Sequence, residues 1–164
     1  MILPIVAYGH PVLRKECDDI DENYKDLKQL IEDMWETLYH SNGVGLAAPQ
    51  INHAIRLFLV ETKQLAESAE EDPDHNDPFE GEAIKQVFIN PEIVETGGTP
   101  YKFNEGCLSI PEVRADVSRK EYVKITYFDE NWVEHTETFE DIAARIAERT
   151  DYDAKEITDL MYQC

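Results

Sequence analysis

The chain has 164 residues, long enough for one compact domain with a full hydrophobic core and short for two. Its 35 acidic against 15 basic residues give a formal charge of −20, which repels phosphate backbones and anionic lipid and excludes a broad nucleic-acid footprint. No stretch approaches the roughly 18 apolar residues of a membrane span, and three widely spaced cysteines argue for a reducing compartment rather than a disulfide framework; a cytoplasmic protein without direct nucleic-acid or membrane binding is expected.

In chain order, MILPIVAYG reads as an opening extended segment: it has no basic start and is too short for a secretory leader. Residues 21 to 42 place Tyr24, Leu27, Ile31, Met34 and Leu38 at steps of three and four, the stripe of a surface helix that Asp21 could cap and Gly43 could end. IRLFLV at 55 to 60 predicts a buried strand. Residues 61 to 85 hold EEDPDHNDPFEGE, seven carboxylates and two prolines with almost nothing apolar, and read as a solvated acidic loop. His75 within it suggests a cation site only weakly, since no EF-hand spacing is present.

Further along, 86 to 95, 121 to 129 and 132 to 139 look extended, the last two as a hairpin across Asp129, Glu130 and Asn131. Thr138 with Asp141, and an apolar face of Phe139, Ile142, Ala143 and Ile146, predict a helix beginning near 139. A helix, several strands and a final helix, without a βαβ repeat, give an α+β class.

Two stretches carry chemistry. GVGLAAPQ at 43 to 50 joins the first helix to a strand; it is no dinucleotide fingerprint, because it follows a helix and lacks the third glycine. EGCLSIP at 105 to 111 sets Cys107 among small and apolar residues, where a lone cysteine reads first as a small buried hydrophobe.

Together, GxGxAAxQ followed about sixty residues later by EGCLS resembles the peptide deformylases, as do the opening MILPIVAYGHPVLRK, Asn90 with Pro91, and IPEVR ending in Arg114. The resemblance covers roughly residues 1 to 146. It implies a peptide deformylase-like α+β fold, antiparallel sheets packed around a central C-terminal helix, in a single domain over 1–164 with the 61–85 acidic loop as an insertion and 147–164 as a divergent C-terminus. It implies a hydrolase that removes the formyl group from the N-terminal formylmethionine of nascent polypeptides. The family holds a divalent ion, Fe2+ or readily Zn2+, Ni2+ or Co2+, with the cysteine of the second motif and two histidines of an HExxH helix. By position Cys107 would be the metal-ligand thiolate. Gln50 and the backbone N–H of Leu108 would steady the oxyanion, and Val44, Gly45, Glu105 and Arg114 would line the peptide groove.

The third motif departs. Where the family reads approximately ARxxQHExDH, this chain reads AARIAERTDYDAKEITDLMYQC from Ala143, with no histidine after His135. Anchored on Ala144 and Arg145, the ligand positions fall on Arg149 and Asp153 with Thr150 as base; anchored on the later ITDL, they fall on Ala147 and Asp151 with Glu148 as base. Neither register supplies an imidazole. Glu148 and Asp151 as substitute ligands would make an unusual set with one thiolate, and a charged Arg149 or Asp151 in a cavity shaped for an ion predicts local instability beyond about residue 147. The expected ion is therefore not stably bound by this chain. Three functions stay open: an impaired deformylase, a non-catalytic peptide-binding relative that keeps the groove, and a thiol-dependent enzyme using Cys107, for which no histidine base can be placed.

Overall fold

The computed structural model describes residues 1–64, 67, 83–107 and 110–140, the side chains of 103–107, 110–115 and 117 excepted. The acidic run at 70–82, Leu108, Ser109 and everything after Glu140 lie outside the described residues, and with them the predicted central C-terminal helix, the predicted instability past 147 and most of the predicted 61–85 loop, whose end residues Glu61 and Lys85 are instead paired as strand, with Glu61 buried.

A five-stranded sheet with spatial order β1-β2-β3-β6-β7 is built from β1 (Gly45–Ala47), β2 (Leu57–Glu61), β3 (Lys85–Gly97), β6 (Tyr122–Phe128) and β7 (Glu134–Glu140). A two-stranded sheet pairs β4 (Tyr101–Cys107) with β5 (Ile110–Arg119), and all pairings in both sheets are antiparallel. The α-helix α1 (Leu27–His40) lies against one face of the larger sheet. Helix with antiparallel sheet bears out the α+β expectation.

Period decides which face each residue serves. Leu27, Leu30, Ile31, Met34 and Leu38 form the buried stripe of α1 and pack on Leu57 and Leu59 of β2 and on Val87 and Ile89 of β3. The alternate residues Phe58, Val60 and Phe88 point the other way and meet Val123, Ile125, Tyr127 and Phe139. Every residue of β2 is buried because both its faces are covered, which is why LFLV is an unbroken apolar run.

Three expectations are corrected. The helix begins at Leu27 rather than near 21: Asp21 instead closes a local turn, its Oδ1 accepting from Asn23 N–H at 2.8 Å. Asp26, in the left-handed region at φ 56°, precedes the first turn without a side-chain cap. No helix starts at 139, since β7 runs to Glu140 and Phe139 faces Val123 across the ladder. The β4–β5 pair was not expected at all.

Asn90 and Pro91 interrupt β3. Asn90 has φ 47°, and its carboxamide acts as a strand neighbour, accepting from Ile20 N–H at 3.0 Å and donating to Ile20 C=O at 2.7 Å. Pro91 cannot donate, and the ladder to β6 shifts register at this place. Arg56 ties the segment down by donating to the Pro91 carbonyl and pairing with Asp19 at 2.5 Å.

The β6–β7 turn is organised by Asp129. Its Oδ1 accepts from Asn131 N–H at 2.8 Å and Val133 N–H at 3.0 Å, and its Oδ2 lies 2.8 Å from His135 Nε2. The His135 contact, with the backbone N–H groups behind it, holds the Asp129 carboxyl below its ordinary value although burial opposes this. A group depressed in the fold stabilises fully above its unfolded value, about 3.9, and loses that contribution as pH falls through the folded value. Asp129→Asn should therefore be less stable than the parent at pH 7, and the gap should shrink below about pH 4, where the parent carboxyl protonates. Urea midpoints of both proteins at pH 7 and pH 3 check this; a gap that stays constant contradicts it.

Candidate active site

The first motif folds as strand, tight turn and short helix. Gly43 N–H donates to Leu38 C=O at 3.1 Å as the chain leaves α1, and Gly45, Leu46 and Ala47 pair with Val60, Leu59 and Phe58. A 3-10 turn, Ala48–Ile51, follows. Leu46, Ala47 and Ala48 are fully enclosed, so the two alanines are small because β2 and the core leave no more room.

This geometry places Gln50. Val44 C=O accepts from Glu61 N–H at 2.8 Å, so alternation turns the N–H and C=O of Gly45 toward the opposite edge of β1, where the described sheet has no further strand. Ala47 N–H faces that same edge and donates to Gln50 Oε1 at 3.0 Å. The carboxamide is buried, and Gln50 C=O also accepts from Val6 N–H at 2.8 Å, so the N-terminal segment pins the turn. The Ala47 contact is not legible in the sequence; the only hint is a Gln three residues after Ala47, the spacing of a capping box whose first position has no hydrogen-bonding side chain.

The second motif lies on β4 and β5. Glu105 faces Ala115, Gly106 faces Arg114, and Cys107 faces Ile110 at the hairpin end. The step from Arg114 to Ile110 across neighbouring β4 residues is a bulge that takes up Pro111, Glu112 and Val113. Glu105 and Arg114 thus lie one register position apart on paired strands. Leu108 lies outside the described residues.

The comparisons decide the lineage. The polypeptide deformylase family profile matches residues 2–153. The chain belongs to the peptide deformylase family. It is 48% identical over 153 residues to the peptide deformylase of Christiangramia forsetii, covering 93% of this chain and 76% of that protein, and 46% identical over the same shares to that of Flavobacterium johnsoniae. Among solved structures, a class I type b deformylase from Acinetobacter baumannii superposes with TM-score 0.81 at 27% identity, covering 100% of this chain and 99% of that one. The Thermotoga maritima deformylase gives 0.77 at 31% identity over 97% of each chain.

The deformylase family implies a divalent ion, and the described imidazoles do not fit its donor set. His10 Nδ1 accepts from Val12 N–H at 3.2 Å, His53 Nδ1 lies 3.4 Å from the Tyr24 hydroxyl, and His135 is tied to Asp129 and stacked on Tyr127 at 5.2 Å. His40 ends α1 at an exposed position. Among the described residues no three His, Cys, Asp or Glu side chains converge as a metal group would require. Cys17 offers no thiolate, since burial, with Asp18 adding to it, pushes its thiol up to about 11. No helix of the described residues is long and apolar enough to cross a membrane.

Proposed function

We propose that this chain binds N-formylmethionyl peptides, the N-termini of nascent polypeptides in the cytoplasm, on a single deformylase domain, and hydrolyses them severely more slowly than its relatives. The observation that carries the reading is the donor set: from Ala143 to Asp153, inside the span matched to the family, the chain has neither a histidine nor an HExxH. Without neutral nitrogen donors beside the Cys107 thiol, a first-row divalent ion has too few ligands to be held and to activate water.

Binding has separate support. β1 and β4 each have a single strand neighbour among the described residues, so each leaves one edge to which an extended peptide can add by main-chain hydrogen bonds. On this reading Val44 and Gly45 serve one wall and Glu105 and Arg114 the other. The Gln50 carboxamide and the Leu108 N–H are the donors for the formyl oxygen, a role that needs no metal to be formed. An A. baumannii deformylase of the same fold has been solved with Met-Ala-Ser bound, the peptide that deformylation of formyl-Met-Ala-Ser would release.

Metal analysis of protein purified without chelator, combined with calorimetric binding and turnover of formyl-Met-Ala-Ser, tests both halves. Saturable binding with well under one equivalent of iron, zinc or nickel and little turnover is expected. One equivalent of metal with deformylation overturns the reading, and absence of any binding removes the groove.

A further inference from the structure

At the other end of α1 from the first motif, about 20 Å away along its 14 residues at 1.5 Å each, a second groove opens against the β6–β7 turn. It measures about 550 Å³, within the ~300–1,000 Å³ of clefts that take small ligands and side chains. Leu27 and Ile31 of α1 contribute its apolar floor, and the rings of Tyr24 and Trp132 its walls. Trp132 is half-buried, tilted on Phe128 at 6.0 Å, and set by the turn that Asp129 organises, its N–H donating to Asp129 C=O at 3.0 Å. Its backbone lies in the left-handed region at φ 61°, which a bulky residue seldom occupies, where it closes the β6–β7 turn.

The rim is acidic. Glu22, Asp26 and Glu130 are exposed around the two rings, with Lys28 as the one cation of the lining. Asp26 has Lys25 at 4.0 Å, whereas Glu22 and Glu130 make no ion pair among the described residues. An indole and a phenol ringed by carboxylates complement a delocalised cation: a guanidinium lies flat on the indole while its in-plane N–H groups reach the rim oxygens, which a compact ammonium cannot do at once.

We infer that this groove docks an arginine side chain from a basic segment of a partner protein, at a surface separate from the formyl-peptide site. The net charge of −20 speeds the approach of any basic chain, so the test must separate the groove from the general field.

The full-length protein is titrated at 150 mM salt with the blocked peptide Ac-Ala-Arg-Ala-Arg-Ala-NH2 and with its lysine counterpart, following the indole N–H resonances of Trp35 and Trp132 together with calorimetry. Expected are a shift of the Trp132 resonance alone, tighter binding of the arginine peptide, and at least fivefold weakening in the Glu22→Gln, Glu130→Gln double variant. The Glu92→Gln, Glu121→Gln variant, which removes the same charge from exposed positions elsewhere, should change affinity by less than twofold. Equal weakening by both pairs, an unmoved Trp132 resonance, or a lysine peptide that binds as tightly overturns the inference.

Discussion

Phe88→Ala should lower the free energy of unfolding by about 3–5 kcal/mol, the range for removing a large aromatic side chain from a packed core. Phe88 is fully buried in the middle of β3, stacked on Phe58 at 4.6 Å, tilted against Tyr127 at 4.5 Å and edge-on to Phe139 at 5.5 Å. It therefore joins rings from β2, β6 and β7, and the sheet cannot close on the space it leaves without moving strands paired on both sides of it. Tyr127 adds to the cost: its hydroxyl donates to Glu137 at 3.0 Å and burial, with Glu137 beside it, holds the phenol neutral. That bond sets the ring angle that Phe88 packs against. Urea titration measures the effect, as a lower midpoint at unchanged slope. Phe88→Leu should cost clearly less, because most of the volume remains. A loss below about 1 kcal/mol for the alanine variant would mean the four rings are not a cooperative unit.

The elements legible in the sequence are those whose burial follows a simple period. The α1 stripe from Leu27 to Leu38 was readable because one face packs on one sheet, and Val123, Ile125 and Tyr127 were readable because β6 alternates between core and surroundings. The β4–β5 pair was not readable: KFNEG has no apolar alternation, and Gly97, Gly98 and Pro100 look like the end of structure rather than a turn into another strand. A helix start at 139 itself is excluded for a related reason: Phe139 obeys the period of two set by Val123 opposite it, while the residues after Glu140 lie outside the described ones. Asp21 misled at the other helix, where a short polar side chain serves a turn as readily as a cap. As for the site, the identity of its residues came from motif resemblance alone. Their arrangement, with Gln50 held on the open edge of β1 by Ala47 N–H, depends on a three-residue strand too short for any periodic signal.

Returning the missing donors should raise turnover of formyl-Met-Ala-Ser by about a hundredfold or more, since a positioned general base alone contributes ~10²–10⁴-fold. Two sets of substitutions compete, because the sequence after Ala143 can be aligned in two ways. Keeping Ala144 and Arg145 in register without a gap calls for Arg149→His, Thr150→Glu and Asp153→His. Sliding by two residues calls only for Ala147→His and Asp151→His, since Glu148 already stands between them. Histidines four apart on a helix present both imidazoles on one face, which is why either set recreates the spacing. The ungapped register is the one expected to respond: it also removes the Arg149 guanidinium, which has no acceptor for a cation and repels one. The triple variant should bind about one equivalent of zinc or nickel, and Cys107→Ser introduced into it should lower that affinity. Response of the double variant alone would transfer the argument to the other register. If both variants stay folded, by circular dichroism and urea titration, and neither takes up metal, then the shortage of imidazole is not what separates this chain from its relatives, and the reading of its function fails with it.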